Sequence, residues 1–292
     1  MLKRFARKKT EGRQSTLLYR WVKSPAWFAA FCLTTLVCLS VYAIGVMMGA
    51  NDPGGAWGLS YGIAATLLFA LAMFYAARRR MLGQRWMGRT RTYLQLHVYG
   101  GSLFLLLVLM HTGFRLPQGP LAVLLWVLSL WVVVTGWLGV LLQKWIPRLL
   151  SAPLGVEVHY NRIAELVDVT RTRAEALADT GSEPFRTFYR RHLAPAFAAP
   201  RPRLRYFIDA TGGAEARTSQ FAYLRRTLPS EERPALDQLQ ALHQTKLEAD
   251  AHYTLQRALR LWLYLHVPVS IAAAAALLIH IFAAIYYGGL MR

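Results

Sequence analysis

Acidic side chains are missing from most of this sequence. All but Glu11 and Asp52 of its 15 lie between residues 148 and 258. Cysteine is equally scarce, with Cys32 and Cys38 falling inside one apolar run. Neither belongs to a C-x-x-C-H or C-x-x-C pattern, which argues against covalently attached haem and cysteine-held zinc or iron–sulfur clusters. Both read as small apolar packing residues. The 148–258 segment holds no G-x-G-x-x-G fingerprint and no P-loop, so it gives no sign of a nucleotide. No internal repeat or low-complexity tract is evident.

Apolar sequence is abundant. Hydrophobic residues make up 55% of the 292, and mean hydropathy is +0.27, too apolar for an ordinary soluble protein. Five charge-free runs are long enough to cross a bilayer: Ala26 to Ala50, Pro53 to Ala77, Thr92 to Phe114, Leu116 to Gln143 and Leu261 to Met291. The first follows a basic segment, as a signal peptide would. It is too long for one and lacks a small-x-small cleavage site, so it reads as an anchor opened by Ser24-Pro25.

Basic residues give a net charge of +19, and their placement matters more than their number. Lys3, Arg4, Arg7, Lys8, Lys9, Arg13, Arg20 and Lys23 precede the first run, and Arg78, Arg79, Arg80, Arg85, Arg89 and Arg91 separate the second from the third. The loops on the other side hold only Asp52 and Arg115. This positive-inside asymmetry puts the N-terminus in the cytoplasm and the C-terminus outside. Anionic lipid, rather than nucleic acid, is the expected partner of these charges.

The reading is an all-α integral membrane protein. Residues 1–25 form a basic cytoplasmic tail, 26–147 carry spans 1–4, and 148–258 form a mainly helical cytoplasmic insertion. Residues 259–292 hold span 5 and a short outer tail. Within the insertion, Gly155 to about Asp179 has helical periodicity, Leu204 to Asp209 reads as a short strand before Thr211-Gly212-Gly213, and one helix runs unbroken from Ser230 to Pro268 and on into the last span. The insertion is read as a docking platform for a partner subunit. Its histidines, His159, His192, His243 and His252, lack metal-ligand spacing.

The spans carry no Asp, Glu, Lys or Arg, but they do carry His97, His111, His266 and His280. An ionisable residue inside a membrane is costly and points to function. Each helix holds its two histidines fourteen positions apart. Such a step advances about 21 Å and returns within about 40° of the starting direction. Parallel helices then set His97 level with His266 and His111 level with His280. Gly100 and Gly101, with Ser270 and Ala273, lie between them on the same faces and would leave room for a flat ligand or for close helix packing. The pattern fits two haems, each with two axial histidines, which would make an electron path across the bilayer. Histidines bonded between helices, and a proton relay or transporter, are the alternatives.

His97-x-x-Gly100-x-Ser102-x-Phe104, continuing to Met110-His111-x-Gly113, resembles the first ligand helix of the cytochrome b subunit of quinol-oxidising bc-type complexes. More loosely, the chain is similar to diheme membrane cytochrome subunits of bacterial respiratory oxidoreductases. The resemblance implies a five-helix bis-histidine diheme bundle in a bacterial inner membrane, with His97, His111, His266 and His280 as iron ligands of two non-covalent b-type haems. It places Gly100 and Gly113 in the cofactor environment. Arg89, Arg91 and Arg115 are candidates to pair with propionates or lipid phosphate. A quinone or quinol and a periplasmic or cytoplasmic redox subunit, multihaem or iron–sulfur, are the implied partners. The chain would be the electron-transfer subunit of an oxidoreductase rather than a self-contained enzyme. The extra first helix and the long insertion depart from that family, and no quinol-site motif of its type follows.

Overall fold

The computed structural model describes residues 25–50, 52–80, 88–151, 160–208 and 214–290. The basic tail with Ser24, then Asn51, Arg85, residues 155–159 with His159, and residues 209–213 lie outside this set. Among the described residues all regular structure is helical. The main helices are α1 (Pro25–Met47), α2 (Ala56–Arg80), α3 (Thr90–His111), α4 (Pro120–Ser151), α5 (Ile163–Thr180), α6 (Glu183–Phe188), α7 (Ala194–Phe197), α8 (Ala214–Thr227) and α9 (Arg233–Leu290). Five of them, α1 to α4 and α9, are long and apolar enough to cross a membrane.

The chain divides into two compact units. One comprises Leu142–Leu261, and the other the chain before and after it. This division falls a few residues outside the 148–258 limits read from composition, and α4 carries Pro147 inside the helix. The second helix likewise keeps Arg78, Arg79 and Arg80 in its last turn, where cations face the negative end of the helix dipole.

In the apolar unit, Ala65, Phe69, Phe104, Leu107, Met110, Val133 and Ala273 form the core, joined by half-buried Cys38 and Tyr42 of α1. The outer face is as apolar as the inner. Phe28, Leu33, Leu67, Phe282 and Ile285 are all more than half exposed, which suits hydrocarbon and not water as solvent. Side-chain contacts fix the helix directions. Phe31 meets Tyr99 and Tyr42 meets Phe114, so α1 runs parallel to α3. His97 bonds Ala72 while His111 bonds Gly58, so α2 is antiparallel to α3. Trp131 bonds Leu265 and Trp262 bonds Thr135, so α4 is antiparallel to α9.

The Leu142–Leu261 unit packs Phe185, Leu193, Phe197, Leu236 and Leu239, all nearly inaccessible, into one core, with Ile163, Val167 and Ala249 in a second cluster. Its first long helix begins at Ile163, preceded by a 3-10 turn at Tyr160–Arg162, later than the periodicity suggested. The expected strand at 204–209 is instead a single 3-10 turn, Leu204–Phe207. Its approach explains why. The N–H of Arg201 donates to Asp250 Oδ1 (2.8 Å) and that of Arg203 to Thr254 Oγ1 (3.2 Å), so the segment is bonded to side chains of α9 and not to a neighbouring strand. The long helix expected across the insertion and last span is present as α9, which passes through Pro268.

Candidate functional site

The four histidines meet as two pairs. The rings of His97 and His266 have centres 6.2 Å apart with planes at 78°, and those of His111 and His280 are 6.4 Å apart at 81°. α3 and α9 therefore run in the same direction, with the pairs fourteen residues apart on each helix.

Hydrogen bonds fix what the rings offer each other. His97 Nδ1 lies 2.9 Å from the Ala72 carbonyl oxygen, and His111 Nδ1 lies 2.8 Å from that of Gly58. A carbonyl only accepts, so each Nδ1 carries the proton and Nε2 keeps its lone pair. His266 Nδ1 is 3.0 Å from Thr135 Oγ1. That hydroxyl is also 2.7 Å from the Trp131 carbonyl, to which its one proton goes, so it accepts from His266. A histidine that ligates a metal through one nitrogen almost always donates its other N–H in this way. The ring of His280 has no such partner among the described residues.

Spacing tests what could lie between the rings. A metal sits about 2 Å from an imidazole nitrogen, which lies about 1.1 Å from the ring centre. Two imidazoles on opposite sides of one ion thus have centres about 6 Å apart. Both pairs meet that requirement. Among the described residues no group of three or more His, Cys, Asp or Glu is placed to hold a metal, so each pair offers two protein donors only. The remaining ligands would have to come from a non-protein group, as a porphyrin supplies them in haem.

Small residues bed the rings. A Cβ on Gly62 would stand 2.9 Å from His111 Nδ1, and one on Gly136 would stand 3.6 Å from His266 Cε1. Gly101 opens onto free space, whereas Gly100 is in ordinary contact range of Leu68 and packs α3 on α2. Ala273 is in the core, and Ser270 turns back to donate to the His266 carbonyl. Gly113 lies past the end of α3 with φ 61°, the left-handed conformation that lets the chain leave a helix. Arg89 precedes α3, Arg91 is in its first turn, and Arg115 follows it; all three are exposed.

Several contributors carry no signal in sequence. Thr135, Tyr75 and the carbonyls of Gly58 and Ala72 touch the histidines through contacts between helices, whereas Trp262 lies one turn before His266 on the same helix. Tyr75 lies 5.2 Å from the His97 ring, and Trp262 stacks on His266 at 5.7 Å. Gly62, Gly136 and Gly139 are at most visible as small residues within apolar spans.

No family model, curated protein or solved structure matches the chain.

Proposed function

We propose that this protein is a diheme membrane cytochrome of the b type, moving electrons across a bacterial inner membrane as a subunit of a respiratory oxidoreductase. One observation carries the reading. Two facing histidine pairs have ring centres 6.2 and 6.4 Å apart, and three of the four rings donate Nδ1–H to an acceptor, leaving Nε2 for a metal. His97 with His266 would hold one haem, and His111 with His280 the other. A haem iron with both axial positions filled by imidazole exchanges single electrons and leaves no position for oxygen or substrate.

The chain's own contribution is to hold and shield these groups. Carbonyls of α2 orient the two histidines of α3, and a hydroxyl of α4 orients His266. Met110, Leu107 and Phe104, each no more than 5% exposed, keep water from the α3 side. Fourteen residues of rise set the two levels about 21 Å apart along the helices. The exposed Arg89, Arg91 and Arg115 stand at the ends of α3, where propionate or lipid phosphate would meet them. A quinone pool on one face and a redox subunit on the other are the fitting partners. The Leu142–Leu261 unit offers a surface for such a subunit.

A visible spectrum and haem extraction test this. Two low-spin haems per chain are expected, with no carbon monoxide adduct in the reduced protein. His97→Ala and His266→Ala should remove or convert one spectral component, and His111→Ala and His280→Ala the other. A colourless protein, or one component shared by His97 and His280, would sink the reading and return the histidines to a proton path.

A further inference from the structure

We propose that Thr135 is a positioning residue that sets the reduction potential of the His97/His266 site apart from that of the His111/His280 site; the inference rests on the haem reading above. Thr135 is buried in α4, 7% exposed, and two of its groups act on the same site. Its hydroxyl gives its proton to the Trp131 carbonyl at 2.7 Å and takes the Nδ1–H of His266 at 3.0 Å. Its backbone carbonyl takes the Trp262 indole N–H at 2.7 Å. That indole lies on the His266 ring with centres 5.7 Å apart and planes at 22°. His266 is thus held at its edge by the hydroxyl and on its face by a ring that the same residue anchors.

α4 is shaped to permit this. Gly139, one turn beyond Thr135, has its missing Cβ position against Trp262 Cζ2, so any side chain there would expel the indole. Gly136 leaves 3.6 Å to His266 Cε1. The other pair is built differently. His111 donates to a backbone carbonyl, Gly58, and no hydroxyl or indole contact is found at His280 among the described residues.

The chemical consequence follows from the direction of the bond. An imidazole that donates its distal N–H becomes a more basic ligand and favours the oxidised metal. Deleting the acceptor favours the reduced form. Thr135→Val keeps the shape and removes the hydroxyl, whereas Thr135→Ser keeps the hydroxyl.

Redox titration of the full-length protein in detergent, followed component by component, tests the assignment. In Thr135→Val one component should become easier to reduce by about ten-fold in its oxidised-to-reduced ratio, equivalent to about 59 mV for a one-electron couple. The other should keep its midpoint, and Thr135→Ser should restore the first. Loss of one haem in Thr135→Val would make the residue a support for haem binding only and would overturn its role in setting the potential. Unchanged midpoints in Thr135→Val, equal shifts of both components, or haem loss in both variants would overturn it while leaving the two-haem reading intact. A wild-type protein with no haem bands would overturn both.

Discussion

Gly62 sits against the His111 ring with no side chain of its own, and the ring needs that space. A methyl group there would stand 2.9 Å from Nδ1 and 3.0 Å from Cε1, closer than carbon packs, on the edge that donates to Gly58. Gly62→Ala must therefore rotate or displace the imidazole. The expected result is loss or high-spin conversion of the component that depends on His111 and His280, with the His97/His266 component retained. Low-temperature spectra of the variant check this, and an unaltered His111-dependent component would refute the steric argument. The histidines themselves were legible in the sequence, because fourteen-residue spacing is a property of one helix. Their supports were not. Gly62 lies 49 residues before His111, and Thr135 lies 131 before His266; nothing local tells which faces of α2 and α4 will be turned toward them. Gly100 reads in the sequence as room for a flat ligand or as close helix packing, and its contact with Leu68 is of the second kind.

At the scale of elements, the legible features are those with a long period. Three of the five apolar helices agree with the charge-free runs to within a few residues, α4 runs eight residues past its own to Ser151, and α9 continues unbroken through the insertion into the last span. The short strand expected at 204–209 failed because the β-favouring run Tyr206-Phe207-Ile208 says nothing about hydrogen-bond partners. Those partners are on α9, where Asp250 takes the Arg201 N–H and also pairs with Lys246 Nζ at 2.6 Å. Lys246 is fully buried and Asp250 nearly so. Burial pushes the Lys246 ammonium below its usual range, and the bond to Asp250 opposes that shift. Asp250→Ala would strand a buried cation and free the 201–203 segment, at a cost of about 3–5 kcal/mol at neutral pH. The pH dependence has a definite sign. A lysine whose folded pKa lies below its unfolded value binds fewer protons when folded, so stability rises with pH between those two values. The Asp250→Ala deficit should therefore shrink as pH approaches the ordinary lysine range. Urea unfolding followed by far-UV circular dichroism at neutral and alkaline pH measures it, and a deficit that grows with pH would contradict the buried-cation account.

The whole molecule repeats one rule: successive apolar helices reverse direction. The contacts make α1 parallel to α3, α3 parallel to α9, and α2 antiparallel to α3, with α4 antiparallel to α9. The C-terminal end of α2, with Arg78, Arg79 and Arg80, thus lies at the same end of the apolar unit as the start of α3, with Arg89 and Arg91. The opposite end carries the turn at Asp52, where Gly54 and Gly55 donate to that residue, and the turn at Gly113 with Arg115. Charge is therefore segregated between the two ends of the bundle. Translocation of short loops disfavours Lys and Arg, so the proposed orientation keeps the arginine-rich end in the cytoplasm. Five crossings would then put the two termini on opposite sides. With the spans in that order, residues 142–261 are expected on the cytoplasmic side as well. Reporter fusions or accessible tags after Arg13, within residues 209–213 and after Arg292 should read inside, inside and outside. Moving the charge is the stronger test. Replacing Arg78, Arg79, Arg80, Arg89 and Arg91 with glutamine weakens the bias that holds the first hairpin, and a mixed orientation of the tag after Arg13 is expected. A tag within 209–213 that is reached from outside in the wild-type protein would invert the whole arrangement, and with it the side of the membrane toward which each histidine pair lies.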